Sequence, residues 1–241
     1  LQAFDVDLHQ IDHILLTHCD FDHFHPSWLH QVDRIGITLH VPRRHRERLP
    51  RTRRLSERVS FFGEGGEIEL SFGRVETVDL AHDALGVTAF LLEHEGVRFG
   101  LATDLGRVTP GLLARFTDLD AVAFESNYDR DMQLRSGRPA FLTRRIMGGA
   151  GHLSNDQALA ALRTIAARSR LRHIVLLHLS RECNAPDRLH ELYAREAAHL
   201  RSRLHLSDQY RPTRRFTLGR RAGGGVPAIT GAEQMLLFPG R

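Results

Sequence analysis

Residues 17–23 read Thr-His-Cys-Asp-Phe-Asp-His, directly behind the apolar run Ile14-Leu15-Leu16. Two histidines and two aspartates within six positions make a metal-binding composition, because imidazoles and carboxylates are what divalent cations of borderline hardness accept. In an extended or tightly turning segment, side chains two apart point the same way. His18, Asp20 and Asp22 can therefore converge, while His23 reaches a second point a few ångströms away. That pattern suits two neighbouring ions better than one. Cys19 falls on the other side of the alternation and is assigned to packing. Further metal-capable side chains follow apolar runs elsewhere: His82 after 75–81, Asp104 after 97–103 and His178 after 173–177. Strand ends are where sheet folds gather their sites, and a carboxylate such as Asp104 can bridge two cations.

The elements that must position these residues are legible in outline. Strands are predicted at 12–17 and 37–41, with a helix at 27–34 and a basic helix at 42–55 opened by Pro42. Strand signals at 59–62, 67–71, 75–81, 87–93 and 97–103, punctuated by glycines, predict an antiparallel meander. Then come a helix at 111–116, a strand at 121–124 and a polar helix at 129–135. A helix at 155–168 has Ser154 and Gln157 in capping-box spacing, followed by a strand at 173–177 and a helix at 186–203. Helices flanking a strand-rich centre predict an α/β sandwich with a mixed sheet. Residues 1–205 are expected to form this domain. Residues 206–241 read as a flexible basic tail containing Gly223-Gly224-Gly225.

The 241 residues are enough for a sizeable core. All 33 basic residues are arginine, against 29 acidic ones, for a net charge of +4. Arginines concentrate in 43–58 and 201–221; such runs are usually solvated faces, and their guanidinium groups also fork onto phosphates. Two distant cysteines, Cys19 and Cys183, imply no disulfide framework, and a reducing cytoplasm is the expected setting. No apolar run approaches the ~18 residues of a membrane-spanning helix.

His18-Cys19-Asp20-Phe21-Asp22-His23, with His82, Asp104 and His178, resembles the metal motifs of the metallo-β-lactamase-fold hydrolases, an αββα sandwich of two mixed sheets. Asp20 stands where that family usually has a second histidine. The resemblance implies one ion on His18, Asp20 and His82 and another on Asp22, His23 and His178, with Asp104 between them. The extra carboxylate shifts the expected cations from zinc toward manganese or iron, with zinc still admissible. His82-Asp83, Ala102-Thr103-Asp104-Leu105-Gly106, Phe124-Glu125-Ser126-Asn127, Gly151-His152-Leu153-Ser154-Asn155 and His178-Leu179-Ser180 are similar, in order, to WalJ-type exonucleases over residues 10–190. The Gly-His-Leu-Ser-Asn and His-Leu-Ser segments also resemble the tRNA 3′-processing nucleases. The family's opening strands are expected before the first motif, and only about a dozen residues precede it; a truncated chain is the expected reason.

The resemblance implies a phosphodiesterase acting on nucleic acid, with DNA favoured and a role in replication or repair. A hydroxide bridging the two ions would attack in line, oriented by Asp22. His152 would protonate the leaving oxygen, with Glu125 orienting it, and Asn127 and Ser154 would contact the substrate or support the ligands. In the tail, Gln234-Met235-Leu236-Leu237-Phe238 resembles the clamp-binding peptide of bacterial replication proteins, with Gln234, Leu237 and Phe238 as anchors for a sliding clamp. Two other readings remain at this stage: a small-molecule phosphodiesterase of the same fold, and a non-catalytic DNA-associated scaffold.

Overall fold

The computed structural model describes residues 5–49 and 57–219. The first apolar run becomes strand β1 (His13–Leu15), which pairs in parallel with β2 (Thr38–Pro42). Helix α1 (Trp28–Ile35) joins them and ends at Gly36, whose φ of 90° is the left-handed conformation glycine adopts without strain. The predicted basic helix after Pro42 is instead a 3-10 segment, Arg43–Arg48, with residues 50–56 outside those described. Four arginines and a glutamate in these six residues offer no apolar stripe to dock an α-helix over this stretch.

The predicted meander divides between two sheets. Strand β3 (Val59–Phe62) lies parallel beside β2 and completes a three-stranded sheet that is parallel throughout. Strands β4 (Glu67–Leu70), β5 (Gly73–Leu80), β6 (Val87–His94) and β7 (Val97–Ala102) form the antiparallel half of a seven-stranded mixed sheet. The other half is parallel: β8 (Ala121–Glu125), β9 (His173–Leu177) and β10 (Leu204–Leu206) follow β7 in order.

Helices α2 (Pro110–Arg115), α3 (Arg130–Arg135), α4 (Ala140–Met147), α5 (Asn155–Ala167) and α6 (Pro186–Glu196) complete the fold. Thr109 and Asp129 cap α2 and α3, and Ser154 with Gln157 forms the anticipated capping box on α5. Helix α4 carries no strong sequence signal, being eight residues between Pro139 and Gly148. Helix α6 stops at Glu196, seven residues before its predicted end, and a 3-10 turn leads into β10.

Alternation along the parallel strands sorts the core. Val122, Phe124, Ile174 and Leu176 face the layer of α2, α5 and α6. Ala121, Ala123, Val175 and Leu177 face the other way, with Phe99. This two-sided burial is the reason these strands read as continuous apolar runs. Phe62 and Leu15 of the small sheet pack on Ile68, Val75 and Phe90 of the large one, and α1 covers the small sheet through Val32. The order of layers is helix, sheet, sheet, helix. The expected domain boundary at 205 falls inside β10, and Phe216 and Leu218 lie against Phe99 and Val175. Among the described residues, no helix is long and apolar enough to cross a membrane.

Candidate metal centre

The loop after β1 turns back on itself, because the Asp20 carbonyl accepts from both His23 and Phe24 N–H at 2.9 Å. That turn places Asp20 near His18 and His82, and swings Asp22 and His23 toward His178. Ligand atoms of His18, Asp20 and His82 lie within 4.8 Å of one another, and so do those of Asp22, His23 and His178. Asp104 joins both neighbourhoods, grouping with His18 and His23 on one side and with His152, His178 and Glu125 on the other. The three remaining ligand positions sit just past β5, β7 and β9. Asp104 and His178 both adopt positive φ, 57° and 55°, which aims the side chains off the strand ends at a modest strain.

Five imidazoles close a ring. Centroid distances are 4.2 Å from His18 to His23, 5.7 Å from His23 to His178, 5.0 Å from His178 to His152, 5.2 Å from His152 to His82 and 5.4 Å from His82 to His18. The buried carboxylate of Asp104 sits among them, 3.2 Å from His23, 3.4 Å from His178 and 3.9 Å from both His82 and His152.

Neighbouring groups decide which ring nitrogen is left over. His82 Nδ1 donates to the Gly151 carbonyl at 3.1 Å, and Thr17 Oγ1 stands 2.9 Å from His18 Nδ1. Glu125, fully buried, accepts from the Leu105 N–H at 2.5 Å, and its Oε1 takes His152 Nδ1 at 2.8 Å and His178 Nδ1 at 3.1 Å. In each case Nε2 is the nitrogen available for other work. His23 Nε2 is buried without a hydrogen-bond partner, its approach to Asp104 being poorly aligned for one. A buried ring nitrogen left in this way, in a set of imidazoles and carboxylates, fits a divalent cation.

The electrostatics agree with such a set. Burial, and then the neighbouring His23, hold His18 down at about 3, so its ring is neutral and ready to ligate. For Asp104, burial alone favours the protonated form, but His178, His23 and the other rings outweigh it and keep the carboxyl well below its ordinary value. Burial likewise opposes charge on His178, yet Asp104 and Glu125 together raise it to about 9. The Cys19 thiol, packed on the small-sheet core, is pushed up to about 12 by burial and by Asp20, which suits packing over coordination.

Two cavities flank the ring. One of about 330 Å³ is lined by His18, Asp20, His45, Arg48 and His82; the other, of about 530 Å³, is lined by Asp22, Asn127, His152, His178 and Arg181. Asn127 Nδ2 donates to the His178 carbonyl at 2.8 Å. The Ser154 hydroxyl is taken up in capping α5, accepting from Gln157 N–H at 3.2 Å. Gln234, Leu237 and Phe238 lie outside the described residues.

Sequence reasoning passed over the supports. Thr103 Oγ1 donates to Asp104 at 2.9 Å, and Thr17 serves His18; a hydroxyl residue immediately before each ligand is a signal that could have found both. Asn184 Nδ2 donates to the carbonyls of Ser126 and Asn127 at 2.8 and 3.0 Å, tying the loops after β8 and β9 together. No local pattern marks that residue.

A family model described as a β-lactamase superfamily domain matches residues 2–179. The chain belongs to that superfamily. It is a metallo-β-lactamase-fold hydrolase with the variant Asp20 in its first motif. Exodeoxyribonuclease WalJ of Streptococcus pneumoniae is 30% identical over 186 residues, 75% of this chain and 68% of that protein. Exodeoxyribonuclease YycJ of Bacillus anthracis is 33% identical over 123 residues, 51% of this chain and 44% of the relative. The crystal structure of the metallo-β-lactamase-fold protein YhfI from Bacillus subtilis superposes with a TM-score of 0.61, covering 86% of this chain and 78% of that one at 13% identity. That likeness shows the fold.

Proposed function

We propose that this protein is a divalent-metal-dependent exodeoxyribonuclease of replication or repair in the cytoplasm. The observation that carries the reading is the closed ring of five imidazoles about Asp104, with the Glu125–His152 pair built into it. Its similarity to two exodeoxyribonucleases supports the choice of substrate.

His18, Asp20 and His82 would hold one ion, and Asp22, His23 and His178 the other, with Asp104 shared. Manganese or iron suits the oxygen-rich first set, and zinc is the third choice. Bound there, the ions would neutralise charge on a phosphodiester and acidify a water toward neutral pH. Asp22, half exposed beside the larger cavity, orients the attacking oxygen. His152 delivers a proton to the leaving oxygen through Nε2, because Glu125 occupies Nδ1 and fixes the ring. Asn127 lines the same cavity and steadies His178, and Ser154 acts by fixing the start of α5. Gln234, Leu237 and Phe238 would attach the enzyme to a sliding clamp.

The test is hydrolysis of end-labelled single- and double-stranded DNA across Mn²⁺, Fe²⁺ and Zn²⁺, with metal content measured in parallel. His152→Ala should keep its metal and lose about 10²- to 10⁴-fold in turnover, and Asp22→Ala should lose activity as well. Full hydrolysis by the His152 variant would remove that residue from the mechanism. Affinity for DNA should fall steeply with salt, whereas a small-molecule phosphodiesterase would be nearly indifferent to it.

A further inference from the structure

The 3-10 segment after β2 brings a further histidine to the metal centre. His45 is 1% exposed and lines the smaller cavity together with His18, Asp20 and His82. Its ring centroid stands 6.3 Å from that of His18, against 5.4 Å for His82. His18, Asp20 and His82 group their ligand atoms within 4.8 Å without it, so His45 backs the first site rather than closing it. Two contacts hold it there. Arg44 pairs with Asp79 and donates to Thr88 Oγ1 at 2.7 Å, fastening the segment to β5 and β6. His45 Nε2 donates to the Gly86 carbonyl at 3.0 Å, and the Gly86 N–H donates to the His82 carbonyl at 2.7 Å. The ring is thereby tied to the loop that carries a ligand.

The Gly86 contact fixes the state of the other ring nitrogen. A carbonyl oxygen only accepts, so the proton of the neutral ring sits on Nε2 and Nδ1 keeps a bare lone pair. Burial lowers the proton affinity of the ring and favours that neutral form. Nδ1 itself is buried without a hydrogen-bond partner. A buried acceptor in that condition calls for a donor, and the cavity of about 330 Å³ has room for water. The first motif supplies the reason for it. Asp20 stands where the superfamily usually has a histidine, and a carboxylate reaches less far than an imidazole, so the first ion is one ring nitrogen short. We propose that His45 makes good this loss: its Nδ1 accepts a hydrogen bond from a water that completes the shell of the cation held by His18, Asp20 and His82. A group standing behind the ligands in this way governs metal affinity by orienting what the cation holds.

This rests on the two-cation reading of the centre and is independent of which phosphodiester is cleaved. Full-length, metal-free wild type and variants are titrated with Mn²⁺, the free ion being counted by electron paramagnetic resonance, and are also melted without metal. Two amides at this position separate the two nitrogens of the ring. His45→Gln places its amide near Nε2, keeping the bond to Gly86 and losing the acceptor. His45→Asn places an amide oxygen near Nδ1 and gives up the Gly86 bond. His45→Gln should weaken one of the two Mn²⁺ sites about tenfold or more while melting as the wild type does. His45→Asn should melt lower and keep both sites within about threefold of wild type. In an Asp20→His background the loss caused by His45→Gln should shrink to within about twofold, because the first motif then carries its own imidazole. Unchanged Mn²⁺ binding in His45→Gln, equal losses in the two amide variants, or an undiminished loss in the Asp20→His background would overturn the assignment of His45 and leave the metal centre standing. A wild type that binds no Mn²⁺ would overturn the centre, and this inference with it.

Discussion

His178 carries the tension of the centre. Its ring touches Asp104 at 3.4 Å and Glu125 at 3.1 Å, and the two carboxylates raise it from 6.5 to about 9 against the pull of burial. A cation needs the neutral ring, so binding must expel a proton wherever the pH is below that value. Manganese affinity should accordingly rise between pH 6.5 and 9, by up to about tenfold per unit for one proton released. Calorimetry in buffers of different ionisation enthalpy would register the proton. A pH-independent affinity would show that His178 is not displaced. In the metal-free protein the same raised value stabilises the fold below 6.5, and the contribution is lost as pH climbs through 9, so its melting temperature should fall over that interval. At this scale, the ligand-bearing motif from His18 to His23 could be read locally, because spacing along one loop limits where side chains point. The sharing of Glu125 between His152 and His178 could not, since those residues come from three separate segments.

Loops bring the ligands together, and glycines let the loops touch. A Cβ on Gly106 would lie 2.5 Å from both the Ala150 Cα and the Gly149 carbonyl oxygen, and 2.8 Å from the Ala81 carbonyl oxygen. Three segments of the site, those of the ligands His82 and Asp104 and of the proton donor His152, meet at this one residue. Gly106→Ala should force them apart, at a cost of about 1–3 kcal/mol in stability, and should reduce metal affinity as well. Thermal melts and metal titration would check it; unchanged melting and affinity would mean the loops adjust freely. The element pattern was readable where period and caps agreed, as in α5 with its Ser154–Gln157 box. It failed where partners decide the outcome. β3 joined the small sheet because its pairing is with β2, and β10 is three residues long, held by β9. Helix α4 is tied to the loop after β5 through its side chains, Arg145 pairing with Asp83 at 2.5 Å.

Over the whole molecule, arginines from distant parts of the chain meet at the centre: Arg48 borders one cavity and Arg181 the other. Phe216 stacks on His173 and His205 at 4.8 and 4.4 Å, so the chain leaving β10 runs against the large sheet before the described residues end at 219. The segment from Gln234 to Phe238 lies some fifteen residues farther on. If it engages a sliding clamp, purified clamp should retain the wild type and release the Gln234→Ala, Phe238→Ala double variant; equal retention would reject the proposal.

What the amino-acid order by itself determined is the chemistry available. A dense cluster of imidazoles and carboxylates behind an apolar run, with single ligands behind three others, is enough to imply a divalent-metal site at strand ends, because side-chain direction and strand termination are local properties. Only the tertiary structure decided that five histidines from four loops close around one aspartate, with Glu125 shared between two of them. Those relations depend on which strands pair and which loops approach, and both are settled by burial of surface far from the residues concerned.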